Sequence, residues 1–125
     1  MDAAQTRQLK IKTGALVRTL KDHTSYKNEE QTLNTRIEET KAAQAQLPAE
    51  EQDPGAVNRL EAQLAETVAV IPTISVKIET WLGELENIMG TIEDACSEQM
   101  EVVRETDEWK KADTAVQEAR TFLGQ

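Results

Sequence analysis

Few residues in this chain could do chemistry, and they stand apart from one another. His23 is the only histidine and Cys96 the only cysteine. A hydrolase or transferase assembles a nucleophile, a base and a group that stabilises developing charge. Nothing in the sequence around His23 marks such a partner, and a lone histidine reads as a surface or half-buried polar residue. Cys96 lies among Glu93, Asp94 and Glu98, an acidic setting that blunts thiol reactivity, so it reads as a small core filler. The paired acids Glu29-Glu30, Glu38-Glu39 and Glu50-Glu51 lack the Glu-x-x-His pattern of di-metal bundles and read as solvated faces. Asp53-Pro54-Gly55 lacks the spaced oxygen ligands of a calcium loop. The expectation is no catalytic, cofactor-binding or metal site, and no enzyme.

The elements that carry these residues are helices. The chain has 125 residues, and only 3% are aromatic (Tyr26, Trp81, Trp109, Phe122), too little ring bulk for a deep compact core. Glycine and proline are also scarce, at five and three, where a sheet protein needs many turn residues. Alanine, glutamate, glutamine, lysine and leucine dominate the rest, and all favour helix. One cysteine forms no internal disulfide, which suits a reducing compartment. No apolar run reaches the roughly 20 residues of a membrane span, and the start MDAAQTRQLK has no signal-peptide core. A soluble cytosolic protein is expected.

From about Thr6 to Leu47 only Gly14 disfavours helix, and Leu9, Leu16, Leu20, Leu33, Ile37 and Leu47 mark a stripe that weakens around His23–Glu30. Residues 48–55 hold Pro48, Pro54 and Gly55, which stop the helix and reverse the chain. A second stripe follows through Val57, Leu60, Leu64, Val68, Ile71, Ile74, Ile78, Leu82, Leu85, Ile88 and Ile92. Its steps of mainly three and four residues are those of a coiled-coil seam. Pro72 falls inside it, and a kink is expected there. The next break has two candidate places, Gly90-Thr91 or Glu105–Asp107. The later is preferred because Thr106 offers an N-cap ahead of Trp109, Ala112, Val116, Ala119 and Leu123. The expected fold is thus all-α, a single domain over residues 1–125. It is an elongated antiparallel three-helix bundle, with helices at about 6–47, 56–104 and 107–123, the third shorter.

Net charge is −9, which argues against nucleic acid as a partner. The first 27 residues go the other way: Arg7, Lys10, Lys12, Arg18, Lys21 and Lys27 face only Asp2 and Asp22. Such asymmetry serves either an antiparallel helix pair or an acidic partner. Within this stretch Gly14 is unusual, since glycine inside a helix costs about 1 kcal/mol relative to alanine. Either the lysine stems snorkel at a helix start, or another backbone comes close to Gly14.

The run Lys10-Ile11-Lys12-Thr13-Gly14, with Arg18, Lys21-Asp22 and Tyr26 at their spacings, resembles the N-terminal signature of the tubulin-binding cofactor A family. Ile71-Pro72 and Glu108-Trp109-Lys110-Lys111-Ala112 are similar to two further stretches of that family, with Trp109 where tyrosine is common. The first inter-helix loop and the region from Gly90 to Glu105 are longer than usual for it. The resemblance implies a cytoplasmic three-helix bundle, tied to the microtubule cytoskeleton, that uses no nucleotide or metal. It implies a chaperone that captures quasi-native β-tubulin after chaperonin release and holds it for transfer to cofactor D and heterodimer assembly. Helical surfaces would make the contact. The candidate protein-binding residues are Arg7, Lys10, Lys12, Thr13, Gly14, Arg18, Lys21 and Tyr26, with Pro72 as a structural kink. The competing expectation is a coiled-coil adaptor that self-associates and never meets tubulin. A polar seam on the first helix could face a second copy, so monomer and homodimer both stay open.

Overall fold

A computed structural model describes residues 1–124, and among them every regular element is helical. Two long helices, α1 (Ala3–Ala45) and α2 (Pro54–Ala95), are followed by the short α3 (Met100–Arg104) and by α4 (Asp107–Phe122). The chain divides into two compact units, one of residues 1–21 with 75–125 and one of residues 22–74. No helix of the described residues is long and apolar enough to cross a membrane.

α1 starts three residues before the expected Thr6 because Asp2 and Gln5 cap it reciprocally. The Gln5 backbone N–H donates to Asp2 Oδ1 at 2.7 Å, and the Asp2 N–H donates to Gln5 Oε1 at 2.9 Å. This is the acid-x-x-Gln form of a capping box, satisfying two donors that the first helical turn leaves without partners.

In the unit of residues 22–74, α1 and α2 run antiparallel around the turn at residues 46–53. Leu33, Ile37 and Leu60 form its buried core, with Val57 and Leu64 packed against them. Lys41 and Glu61 pair across the two helices at 3.8 Å. The Asp53-Pro54-Gly55 sequence has a local task. The Gly55 N–H donates to Asp53 Oδ1 at 2.9 Å, and Pro54 occupies the first helical position, where its missing N–H costs nothing. A hydrogen bond from Arg59 and one from the Gly55 backbone hold the Asp53 carboxyl below the usual carboxylate range.

The weak middle of the α1 stripe is filled by polar residues and not abandoned. His23 is buried, Tyr26 and Glu30 are half-buried, and the seam resumes at Leu33 and Ile37. Their spacings of three and four residues are the same as those of the apolar positions. In α2 the seam passes through Thr67, 6% exposed, while Val68 one position on is 42% exposed. The Thr67 hydroxyl meets its polar requirement by donating to the Gln63 carbonyl at 3.1 Å. Pro72 lies inside α2, exposed, with helix on both sides of it.

The other unit contains Leu9, Leu16, Ile78, Leu85 and Ile92, all almost fully buried. α1 and α2 are antiparallel here too, since Lys12 meets Glu84 and Gln5 meets Cys96. The expected helix over 56–104 is interrupted. α2 ends at Ala95, a 3-10 turn covers Ser97–Gln99, and α3 begins at Met100. Cys96 and Gln99 leave the helical region (φ −118° and −112°, ψ 25° and 7°). Cys96, Met100 and Val103 nevertheless stay buried. The tighter turn redirects the chain while keeping the apolar phase, which is why the stripe alone read as one helix. Thr106 caps α4: its Oγ1 accepts from the Trp109 N–H at 3.3 Å. Ala112, Ala115, Val116 and Ala119 then make a buried face of small side chains beneath Trp109.

Candidate functional site

The basic segment of α1 is divided by the packing of its unit. Positions 10, 14, 17 and 21 recur at helical spacing on one flank, whereas position 12 falls on the other. Lys12 is turned to α2, with its ammonium 5.0 Å from the Trp81 ring centroid and 3.5 Å from Glu84 Oε2. Lys10, Thr13, Gly14, Val17 and Lys21 instead form one wall of an open groove of about 780 Å³, and α4 forms the other. The α4 wall carries Lys110, Lys111, Thr114 and Ala115, with Asp107 and Glu108 at the first turn and Glu118 further along.

Three features of the groove bear on what it can do. Lys10, Lys21 and Lys111 have no ion-pair partner among the described residues, while Lys110 meets Glu105 at 3.4 Å. Asp107 and Glu108 sit in the first turn of α4, where the helix dipole favours acids. Thr13 is 8% exposed, and its hydroxyl has no hydrogen-bond partner among the described residues. Thr19, six residues on, is buried to nearly the same degree but donates to the Ala15 carbonyl at 2.8 Å. Leaving such a group unmatched costs about 1–3 kcal/mol.

Gly14 borders the same groove. A methyl group added there would meet Arg18 Nη1 at 3.2 Å, and among the described residues no backbone from outside its own stretch of α1 lies within 4 Å of it. The close neighbour is thus the Arg18 guanidinium, laid back along the helix, and not a second backbone. Arg7 and Arg18 are exposed. Tyr26 is half-buried in the other compact unit. The structure therefore brings together Lys10, Thr13, Gly14 and Lys21, with Arg18 beside them, and leaves Lys12 and Tyr26 elsewhere.

The α4 lysines were visible in sequence only as part of a similar stretch near the C-terminus. A signal was present, because Lys110 and Lys111 directly follow Trp109, just after a threonine cap. Spacing within α4 says nothing about which helix they would face. His23 is buried, and burial first, then the nearby Lys27 charge, lowers its pKa below the ordinary imidazole value. Among the described residues no group of three or more His, Cys, Asp or Glu side chains is placed to hold a metal ion.

Helices packed by a seam that admits threonine and histidine, with a lysine-walled groove on the surface, define an all-α protein whose candidate site is a docking groove. Comparison with protein families places it further. The model of the tubulin binding cofactor A family matches residues 4–119, and the chain belongs to that family. Its fold is similar to the crystal structure of tubulin folding cofactor A from Arabidopsis thaliana, with a TM-score of 0.75 and 24% identity. That match covers 96% of this chain and 99% of the plant protein. Comparison with curated proteins gives no sequence match.

Proposed function

We propose that this chain is a tubulin-folding cofactor that captures quasi-native β-tubulin in the cytoplasm and holds it for transfer to cofactor D. The observation that carries this reading is the family match across residues 4–119. What supports a polar, charge-steered contact is the exposure of Arg7, Lys10, Arg18 and Lys21 on α1 in a protein of net charge −9. Basic residues gathered on an otherwise acidic chain accelerate encounter with an acidic partner and fix its orientation.

The test is gel filtration of the purified chain with β-tubulin released from chaperonin. A 1:1 complex that excludes α-tubulin and weakens as salt is raised is the expected result. Absence of a complex at every salt concentration, with the chain alone sedimenting as a self-associated species, overturns the reading and leaves the coiled-coil adaptor. Adding cofactor D to the preformed complex tests transfer, which should appear as β-tubulin moving to the cofactor D fractions.

A further inference from the structure

We propose that the groove between α1 and α4 is a docking slot for one acidic amphipathic segment of the client polypeptide. This rests on the reading that the chain holds a protein client, and it names where and by what chemistry the client is held. The charge pattern comes first. Lys10, Lys21 and Lys111 reach the groove without intramolecular ion-pair partners among the described residues. Two of the groove's three acids are confined to the first turn of α4, where its dipole favours them. An incoming acidic segment therefore meets three unpaired ammonium groups in the slot.

The apolar lining supplies the second argument. Val17 on the α1 wall and Ala115 on the α4 wall are apolar, and Gly14 removes a side chain where Arg18 lies close. Apolar side chains interleaved with lysines fit a helix with one apolar and one acidic face. The third argument is Thr13, more than nine-tenths buried in the wall of this groove, with a hydroxyl that has no partner among the described residues. A carboxylate or backbone carbonyl from a docked segment provides the missing acceptor after a rotation of the side chain.

The probe is a fluorescein-labelled 14-residue amphipathic peptide of glutamate, leucine and alanine, followed by anisotropy against the full chain. Its counterpart with lysine for glutamate is the control. The expected result is salt-sensitive binding of the acidic peptide alone. The Lys21→Glu/Lys111→Glu pair should weaken it by about tenfold or more with unchanged helical circular dichroism. Thr13→Val, which keeps the shape and removes the hydroxyl, should weaken binding by about threefold without loss of thermal stability. Failure of the acidic peptide to bind overturns the proposal, as does equal binding of the basic peptide or of the double variant.

β-Tubulin run in parallel separates this proposal from the broader one. If wild type and the double variant capture β-tubulin equally, the slot is overturned and the tubulin reading stands. If wild type binds the peptide through these lysines but no β-tubulin, the slot stands and the tubulin reading falls.

Discussion

The ammonium of Lys12 lies 5.0 Å from the centroid of the Trp81 ring, and the same nitrogen is 3.5 Å from Glu84 Oε2. One residue of the basic segment is thereby spent on joining α1 to α2, with a side chain only 24% exposed. Its neighbours Lys10 and Lys21, on the other flank, carry no such attachment among the described residues. Two lysines two positions apart on one helix thus have different tasks, one inside the fold and one at its surface.

Replacing Lys12 by methionine keeps the aliphatic stem and removes the charge. Cation–π contacts at partly exposed sites contribute about 0.5–1 kcal/mol, and a surface ion pair up to about 1 kcal/mol. Lys12→Met is expected to lower unfolding free energy by about 1 kcal/mol in urea titrations. Lys10→Met should be neutral. Equal effects of the two substitutions would show that the Trp81 contact does not matter.

Gly14→Ala tests whether glycine is there for stability or for the surface. The added methyl meets only the tip of Arg18, a flexible side chain that can swing away. Alanine also improves helix propensity by about 1 kcal/mol. The variant should therefore raise the melting temperature while displacing Arg18, and it should weaken client binding if the groove is used. A lowered melting temperature would mean that Arg18 is held more firmly than its exposure suggests.

Thr13→Val and Thr19→Val form a matched pair. Both residues are buried on α1 in the same compact unit, but only Thr19 satisfies its hydroxyl, through Ala15. Thr13→Val removes an unmatched polar group and should stabilise by roughly 1 kcal/mol. Thr19→Val removes a made hydrogen bond and should be close to neutral. Calorimetry of the two variants under one buffer reads the difference directly.

His23 makes stability depend on pH. Its folded pKa lies below the ordinary 6.5, through burial and then the Lys27 charge. The unfolded chain therefore takes up the proton more readily than the folded one. The contribution is fully present above the unfolded value and is lost as pH falls through the lower folded pKa. Unfolding midpoints should decline from about pH 7 to 5, and His23→Gln should flatten that decline. A wild-type slope unchanged by the substitution would assign the effect to the carboxylates.

Much of the architecture was legible in the residues. The scarcity of glycine, proline and aromatic side chains points to helices, and the proline pair around residues 48–54 marks the reversal. The α1 cap is legible too, because Asp2 and Gln5 have capping-box spacing, although the apolar stripe begins only at Leu9. Other features were out of reach. Residues 67 and 68 are separated by a hundred degrees around the helix, so either could continue the seam. The apolar choice, Val68, is the exposed one, because a threonine that returns its hydroxyl to its own helix can be buried at small cost. Likewise Cys96, Met100 and Val103 keep an apolar phase that is equally compatible with one helix or with a 3-10 interruption.

By itself, then, the sequence determined the helical class, the first chain reversal and a basic N-terminal segment, all of which depend on local composition and spacing. Tertiary structure alone decided that Lys12 serves Trp81 while Lys10 and Lys21 face the lysines of α4. The reason is geometric. Spacing along one helix says which side chains share a face, but a groove requires two faces from segments some ninety residues apart, and only packing brings those together.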